Sequence, residues 1–529
     1  MADIMTNTDS PWTGAEALLR AAHSAGIDVC FANPGTTEIP LVRALDNVPE
    51  MRPVLALFEG VCSGAADGYG RMRATPALTL THLGPGFANS IANLHNARRA
   101  RTPIVNIIGD HASWHLPFDA PLTSDISSLA ASVSGWQRKI ERADDTTRDA
   151  KAAIAASMQR GGQVATLVFP MDFQQQLVSR HRQESLGHSH SDAGKLPLAS
   201  RDRIEDIARC LHGRPSVTLL LGGSALTERG QHAAAAIAQY LGAKLYAETF
   251  PARIERGRHL PDVDRLPYFP EPAIKALAAS RHVILVGSRE PIAYFGYENV
   301  PSRLAPDGSV MTLAEPGEDS VEALEALSAL LGVKLVAFQN TNPAGAVPEG
   351  RLSPQSIGSI LAQALPENAI VSIEGGTCGY PFATASAISS RCTLLTNTGG
   401  AIGQGLPVAI GAAIACPDRK VIALQSDGSA QYTIQSLWTM VRESLPIVVL
   451  IASNHRYGVL QTELARSNVS DFGPASAALT SLDKPGIDWL ALARGYGVPA
   501  VQVTETATLR SALSSAIGAE GPQLIEMSL

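Results

Sequence analysis

The sequence predicts an α/β protein of three doubly wound domains, each built on a parallel sheet. Three observations carry this expectation. First, nearly continuous apolar runs of about five to seven residues recur along the chain: "PALTL", "PIVNIIG" and "VATLVFP", then "VTLLLGG" and "HVILVGS", then "AIVSIEGG", "VIALQSDG" and "IVVLIASN". A run without polar alternation is a strand covered on both faces, as parallel sheets are. Second, the intervening segments, such as "PEPAIKALAAS" and "TATLRSALSSAIGAE", have helical spacing, as βαβ units require. Third, two polar stretches rich in Gly, Ser, Asn, Pro or His interrupt the alternation at Arg180–Ser200 and Gln339–Ser356 and read as linkers. They set the expected domains at 1–185, 200–338 and 355–529.

Bulk properties narrow the classes. Of 529 residues, 45% are hydrophobic and 17% charged, which allows a large core and argues against long disorder. The net charge of −7 comes without a basic stripe, so nucleic acid is not the expected partner. Cys30, Cys62, Cys210, Cys378, Cys392 and Cys416 form no CxxC pair and read as free thiols in a reducing compartment. The first dozen residues lack an apolar signal core. No apolar run reaches the ~18 residues a membrane span needs. The expectation is a soluble cytoplasmic protein.

In parallel sheets, ligands bind beyond the carboxyl ends of strands. The informative residues are therefore those that follow each apolar run. "FANPGTTE" (Phe31–Glu38) is a strand and a tight turn. "VLALFEGVCSGAADGYGRM" ends a strand in Glu59 and continues as a helix of small residues. A carboxyl group in apolar surroundings favours its protonated form and can share a proton with a ring nitrogen; alternatively Glu59 only complements a helix N-terminus. His82 stands after a strand and before a glycine loop, where a structural and a catalytic role are both open. The glycines of "GGAIGQGLPVAIGAA" (Gly399–Ala413) allow close approach of backbone to a ligand, or simply a flexible loop. Asp427 and Asn454 end two runs 27 positions apart, room for one helix and a return strand. A carboxylate and an amide oxygen suit Mg2+ better than zinc, and the N–H groups at Gly428 and Ser429 favour a phosphate. Their alternative is a turn and a helix cap.

Five motifs, "NPGTTE", "FEGVCSGAADGYGR", "GGAIGQGLPVAIGAA", "SDGSAQYTIQSLWT" and "KPGIDWLALARGYGV", occur in the order found in the thiamine-diphosphate-dependent decarboxylases and carboligases. The chain resembles that family, which includes benzoylformate decarboxylase and acetolactate synthase large subunits, over almost its whole length. The resemblance implies pyrimidine-binding, central and diphosphate-binding domains, with thiamine diphosphate and Mg2+ as cofactors. It implies non-oxidative decarboxylation of a 2-oxo acid through a cofactor ylid and enamine, giving an aldehyde or, with an aldehyde acceptor, a 2-hydroxy ketone. Glu59 would bind the aminopyrimidine N1′. Asp427, Asn454 and the Arg456 carbonyl would hold the metal, and Gly428 and Ser429 the diphosphate. Ile402 would support the bent cofactor, and Asn33, Pro34, Gly35 and Thr36 would form the loop at the active-site mouth. Thr377, Gly400, Tyr457, Gly458 and Val459 complete the implied cofactor contacts. His82 and Thr36 would join Glu59 as catalytic residues. The active site would lie between subunits of a homodimer or homotetramer.

The pattern also departs from the family. Ser426-Asp427-Gly428 replaces Gly-Asp-Gly, and Ser453-Asn454 replaces Asn-Asn, with both ligand residues kept. Phe295 stands where benzoylformate decarboxylase has a second histidine. Thr462 and Glu463 stand where it has large aromatics, and imply either a more polar pocket or solvated helix surface. An FAD-containing acetolactate synthase is the rival reading. It is not favoured, because "LLLGGSALTERG" and "VGSREPIAYFGY" carry no dinucleotide fingerprint. A catalytically silent cofactor-binding homologue is a third, and retention of Glu59 speaks against it.

Overall fold

The computed structural model describes residues 10–180, 183, 195–213, 215–334, 338, 340–341, 345–467 and 473–529. The first expected linker lies mostly outside the described residues, and the second partly. The chain forms two compact units. One comprises residues up to Lys195 with Gly399–Cys416 and Gln435–Glu443; the other comprises Leu196–Thr398, Pro417–Ile434 and Ser444–Leu529. All six cysteines are free thiols, four of them buried. Among the described residues no helix is long and apolar enough to cross a membrane.

The first unit contains strands β1 (Trp12–Thr13), β2 (Val29–Asn33), β3 (Arg52–Leu55), β4 (Ala77–His82), β5 (Ile104–Asp110), β6 (Trp136–Lys139), β7 (Val164–Pro170) and β8 (Leu177–Val178). β1 and β8 form a short antiparallel ribbon. The other six make one sheet in the order β3-β2-β4-β5-β7-β6, and every pair is parallel. All seven residues of β5 and of β7 are buried, as their unbroken apolar runs predict. The chain leaves β2 toward one edge and β4 toward the other. The carboxyl ends of β2 and β4 therefore flank a switch point, where an α/β sheet opens a crevice. Asn33 and His82 end those two strands.

The second unit holds β9 (Val217–Leu221), β10 (Lys244–Ala247), β11 (Arg253–Arg256), β12 (Asp264–Arg265), β13 (His282–Val286), β14 (Val310–Ala314), β15 (Ala369–Glu374), β16 (Cys392–Thr396), β17 (Val421–Ser426), β18 (Ile447–Ser453), β19 (Ala500–Val503) and β20 (Gln523–Ser528). They form a five-stranded sheet, β12-β10-β9-β13-β14, and a seven-stranded sheet, β11-β16-β15-β17-β18-β20-β19. Both are parallel except for β11, which pairs antiparallel with β16. The sequence predicts parallel sheets only. β11 departs because its "RIER" run alternates in burial and closes an edge rather than filling a covered centre. β15 and β17 flank the switch point of the larger sheet.

Within the first unit, the helix Glu59–Arg73 crosses the helix Gly405–Ala415 at backbone contact. A Cβ on Gly68 would overlap the Val408 carbonyl, and one on Gly411 the Ala65 carbonyl oxygen. All eleven residues of Gly405–Ala415 are buried. The polar part of the crossing centres on Asp67, which accepts from Arg71 at 2.6 and 2.8 Å, Thr102 Oγ1 at 2.5 Å and Gln404 Nε2 at 3.1 Å. A buried carboxylate is tolerated when its lone pairs are filled this completely.

Because the obstruction at Gly411 is backbone, Gly411→Ala is expected to cost about 2–3 kcal/mol in denaturant unfolding, the scale of core overpacking. Gly518→Ala, at a site open to solvent, is expected to change stability by less than about 1 kcal/mol.

Candidate active site

The first unit presents two carboxylates at the switch point. The turn after β2 folds back so that the Gly35 N–H donates to Glu38 Oε2 at 2.7 Å. The same carboxylate lies 2.8 Å from His82 Nδ1 and accepts from Thr37 Oγ1 at 2.6 Å. Thr37 Oγ1 also stands 3.1 Å from His82 Nδ1. Glu38 is fully buried. Its hydrogen bond raises the His82 pKa above the ordinary histidine value, against an opposing effect of burial. Gly35 is obligatory, because any Cβ would strike the His82 ring. Thr36 is exposed, and the hydroxyl that reaches His82 is that of Thr37. Asn33 serves the turn, donating to the Ala56 carbonyl at 2.7 Å, and Pro34 is half-buried beside it.

Glu59 is the first residue of its helix and is buried. Its surroundings are not purely apolar, since Asn89 Nδ2 donates to its Oε2 at 3.0 Å. Its Oε1 accepts no hydrogen bond among the described residues and faces Gly86, where a Cβ would fall 2.9 Å from it. Asn89 belongs to the helix Leu83–Ala100, which starts directly after His82. Further along it, Asn93 donates to the Gly403 carbonyl at 3.4 Å and Asn96 to the Ala401 carbonyl at 2.8 Å. His95 Nε2 lies 3.2 Å from the Gly399 carbonyl. These side chains pin the glycine loop, in which Gly400 and Gly403 have φ of +80° and +94°. Ile402, between them, keeps 37% of its surface exposed. One helix thus orients both Glu59 and the loop that presents Ile402.

The second unit brings together the metal and diphosphate candidates. Asp427 ends the run of β17 and is 1% exposed. Its Oδ1 accepts from the Gly428 N–H at 2.8 Å and its Oδ2 from the His455 N–H at 2.7 Å. His455 adopts φ +56°, a left-handed conformation that turns its N–H inward. Burial raises the Asp427 pKa despite these donors. No Lys or Arg pairs with Asp427 among the described residues. Asn454 follows β18, the neighbour of β17. Its Nδ2 donates to Thr377 Oγ1 at 3.2 Å, and its Oδ1 accepts from the Arg456 N–H at 3.1 Å. Thr377 opens the helix after β15, so both sides of the switch point contribute.

Ser429 Oγ donates to the Ser426 carbonyl at 3.1 Å, closing the turn after β17. Gly428 lies against the Tyr457 ring, where a Cβ would be 2.5 Å from Cε1. Gly458 and Val459 open the next helix, and Val459 is 52% exposed. Thr462 is exposed and bonds back to the Gly458 carbonyl. Glu463 is partly exposed; it accepts from the Tyr297 hydroxyl at 2.9 Å and pairs with Arg466 at 3.6 Å. Phe295 is 59% exposed.

The donor set fits a hard divalent cation. It comprises a desolvated carboxylate without a Lys or Arg partner among the described residues and an amide oxygen. Among the described residues no three His, Cys, Asp or Glu side chains converge on an ion position, which removes a zinc-type cage. The cation would depend on a phosphate to complete its shell.

Glu38, Thr37 and Asn89 are the site residues that the strand-end rule misses. Glu38 was legible as an acid three positions after the turn glycine, and Asn89, Asn93 and Asn96 as amides on one helical face.

A doubly wound protein with a buried carboxylate and an amide at one switch point and a buried acid–histidine pair at another has the architecture of the cofactor-dependent α/β enzymes. Residues 12–129 match the N-terminal TPP binding domain of thiamine pyrophosphate enzymes, and residues 374–527 match the C-terminal TPP binding domain. A Mycobacterium tuberculosis protein provisionally named acetolactate synthase large subunit IlvX is 44% identical over 97% of this chain and 98% of its own length. Pseudomonas aeruginosa benzoylformate decarboxylase is 26% identical over 96% and 99%. The solved structure of a Rhodococcus jostii RHA1 thiamine diphosphate-dependent 4-hydroxybenzoylformate decarboxylase superposes with a TM-score of 0.83 at 25% identity, covering 98% of this chain and 99% of that one. The chain belongs to the thiamine pyrophosphate enzyme family and is a thiamine-diphosphate-dependent enzyme of the decarboxylase and acetolactate synthase type.

The Glu38–His82 pair sets a pH signature. A histidine whose folded pKa is raised contributes stability that is fully present below its unfolded value, about 6.5, and is lost as pH rises through the raised folded pKa. NMR titration of His82 is expected to give a pKa above that value, and Glu38→Gln is expected to bring it back down.

Proposed function

We propose that this enzyme decarboxylates a 2-oxo acid without oxidation, releasing an aldehyde or passing the two-electron fragment to an aldehyde acceptor as a 2-hydroxy ketone. Thiamine diphosphate supplies the electron sink for that chemistry. The observation that carries the reading is the buried Glu59 carboxylate, positioned by Asn89 through one oxygen while its other oxygen accepts no hydrogen bond among the described residues. That oxygen is suited to hold a proton against a ring nitrogen, the N1′ of the aminopyrimidine. Asp427, the Asn454 amide oxygen and the Arg456 carbonyl would hold Mg2+, and the N–H groups at Gly428 and Ser429 would face the diphosphate. Ile402 would press the cofactor into its bent form. His82, kept protonated to higher pH by Glu38, would orient the substrate carboxylate or deliver a proton to the product. Thr37 holds His82, and Thr36, on the exposed side of the turn, would face the active-site mouth.

In this reading residues 1–185, 200–338 and 355–529 act as pyrimidine-binding, central and diphosphate-binding domains. The enzyme would be soluble and cytoplasmic. It would be a homodimer or homotetramer, with Glu59 of one subunit serving the Asp427 half of another. The 44% identity to the provisionally named acetolactate synthase subunit favours the ligation outcome as a second reading. FAD, which a true acetolactate synthase would hold, is not favoured, and the purified protein is expected to lack flavin absorbance.

A panel of 2-oxo acids with thiamine diphosphate and Mg2+ is expected to yield carbon dioxide, and analysis for aldehyde against hydroxy ketone separates the two outcomes. A silent panel would sink the reading. Glu59→Gln is expected to lower turnover at least about a hundredfold, the usual range for a general acid–base group. Glu59→Gln and Asp427→Ala chains, inactive separately, are expected to regain activity when mixed under subunit exchange, measured by carbon dioxide release.

A further inference from the structure

The second unit contains a cavity of about 370 Å³ that includes neither Asp427, Asn454 nor Thr377 in its lining. That volume lies in the range of small-molecule sites. Its walls are mainly apolar and aromatic, with Leu266, Leu394, Tyr268 and Phe269 among them. Tyr268 also meets Tyr294 at a centroid distance of 5.0 Å, so the aromatic wall is backed by a second ring.

Two guanidinium groups reach this cavity, and they differ. Arg256 is largely engaged, with four of its five N–H donors used: it donates to the Val263 carbonyl at 2.9 Å, the Ala383 carbonyl at 3.1 Å and Ser386 Oγ at 3.2 Å, and pairs with Asp262 at 3.3 Å. Arg265, half-buried at the end of β12, has no carboxylate within ion-pair distance among the described residues. Its neighbour Asp264 also lines the cavity but is exposed and does not pair with it. Arg265 instead lies over the Tyr380 ring, 4.8 Å from the centroid. Burial and the nearby Arg256 charge lower its pKa, and Tyr380 and Tyr294 oppose this. A guanidinium always carries its charge in a protein, and in an apolar recess such a charge calls for an anion.

The anion has a definable shape. One free planar fork matches a carboxylate in bidentate fashion. A phosphate dianion would call on a second cation, and Arg256 has most of its donors engaged elsewhere. The aromatic and apolar walls suit a flat ring behind the carboxylate. The geometry points to this cavity as a binding site for a small monocyclic aryl carboxylate, gripped by Arg265 and packed on Tyr268 and Phe269. This goes beyond the proposed reaction and does not depend on it, because neither the cofactor nor a 2-oxo group takes part.

Calorimetric titration of the full-length, cofactor-free protein with phenylacetate tests it. One site per chain is expected, with Arg265→Gln weakening binding at least tenfold while leaving circular dichroism and the ligand-free melting temperature unchanged. The methyl ester of phenylacetate, with the same ring and no charge, is expected to bind wild type at least tenfold more weakly, a comparison that holds even where the variant fails to fold. Asp427→Ala is expected to retain the site. The proposal is overturned if wild type does not bind phenylacetate, if the ester or a folded Arg265→Gln protein matches wild type with the acid, if inorganic phosphate displaces the acid, or if Asp427→Ala abolishes binding.

Discussion

The backbone-to-backbone crossing of the helices Glu59–Arg73 and Gly405–Ala415 is the constraint on which the first unit depends. With Gly68 and Gly411 at the contact, carbonyl oxygens and helix backbones meet where a methyl group would not fit. Close approach fixes the rotation and translation of one helix against the other, because interiors are close-packed and do not deform continuously. The N-terminus of the first helix is Glu59, and the segment before the second is the loop carrying Ile402. Their separation is thus set by packing rather than by the long stretch of chain between them. Asp67, four times bonded in the same contact, makes any slippage expensive by leaving a buried charge unpaired.

The same solution appears at two switch points. Each uses a carboxylate that is buried and therefore out of reach of bulk water: Glu38 in the turn after β2, Asp427 directly after β17. Each accepts from backbone N–H groups, Glu38 from Gly35 and Asp427 from Gly428 and His455. Their remaining partners diverge, and so does their chemistry. Glu38 finds an imidazole and raises its pKa. Asp427 has no Lys or Arg partner among the described residues, and burial raises its own pKa. Two buried acids that both accept from backbone N–H groups thus differ in their electrostatics by what stands next to them.

The helix Leu83–Ala100 links these parts. It starts at His82, orients Glu59 through Asn89 and pins the glycine loop through Asn93, His95 and Asn96. A single element carries the registration of an imidazole, a carboxylate and the glycine loop. This is the preorganisation that the proposed proton transfer demands.

The fold class was legible because continuous apolar runs and helical spacers have only one common architecture, and the strand ends followed from it. That rule points to His82, Asp427 and Asn454, which end or directly follow strands, whereas the strand expected to end in Glu59 stops at Leu55 and Glu59 instead opens a helix. The short edge strand β11 was not legible: four residues alternating in burial carry too little periodicity to state an antiparallel partner well over a hundred positions away. The sequence pointed to Thr36, yet the hydroxyl beside His82 is that of Thr37, an adjacent residue of the same type that only the path of the turn distinguishes. Nor did it show that Glu463 meets Tyr297 and Arg466, partners that only the fold brings near. What the sequence determined by itself was chemistry at positions fixed by local periodicity. What the tertiary structure alone decided was partnership, because hydrogen-bond partners and free charges such as Arg265 depend on which distant segments meet, and that is set by packing rather than by neighbours in the chain.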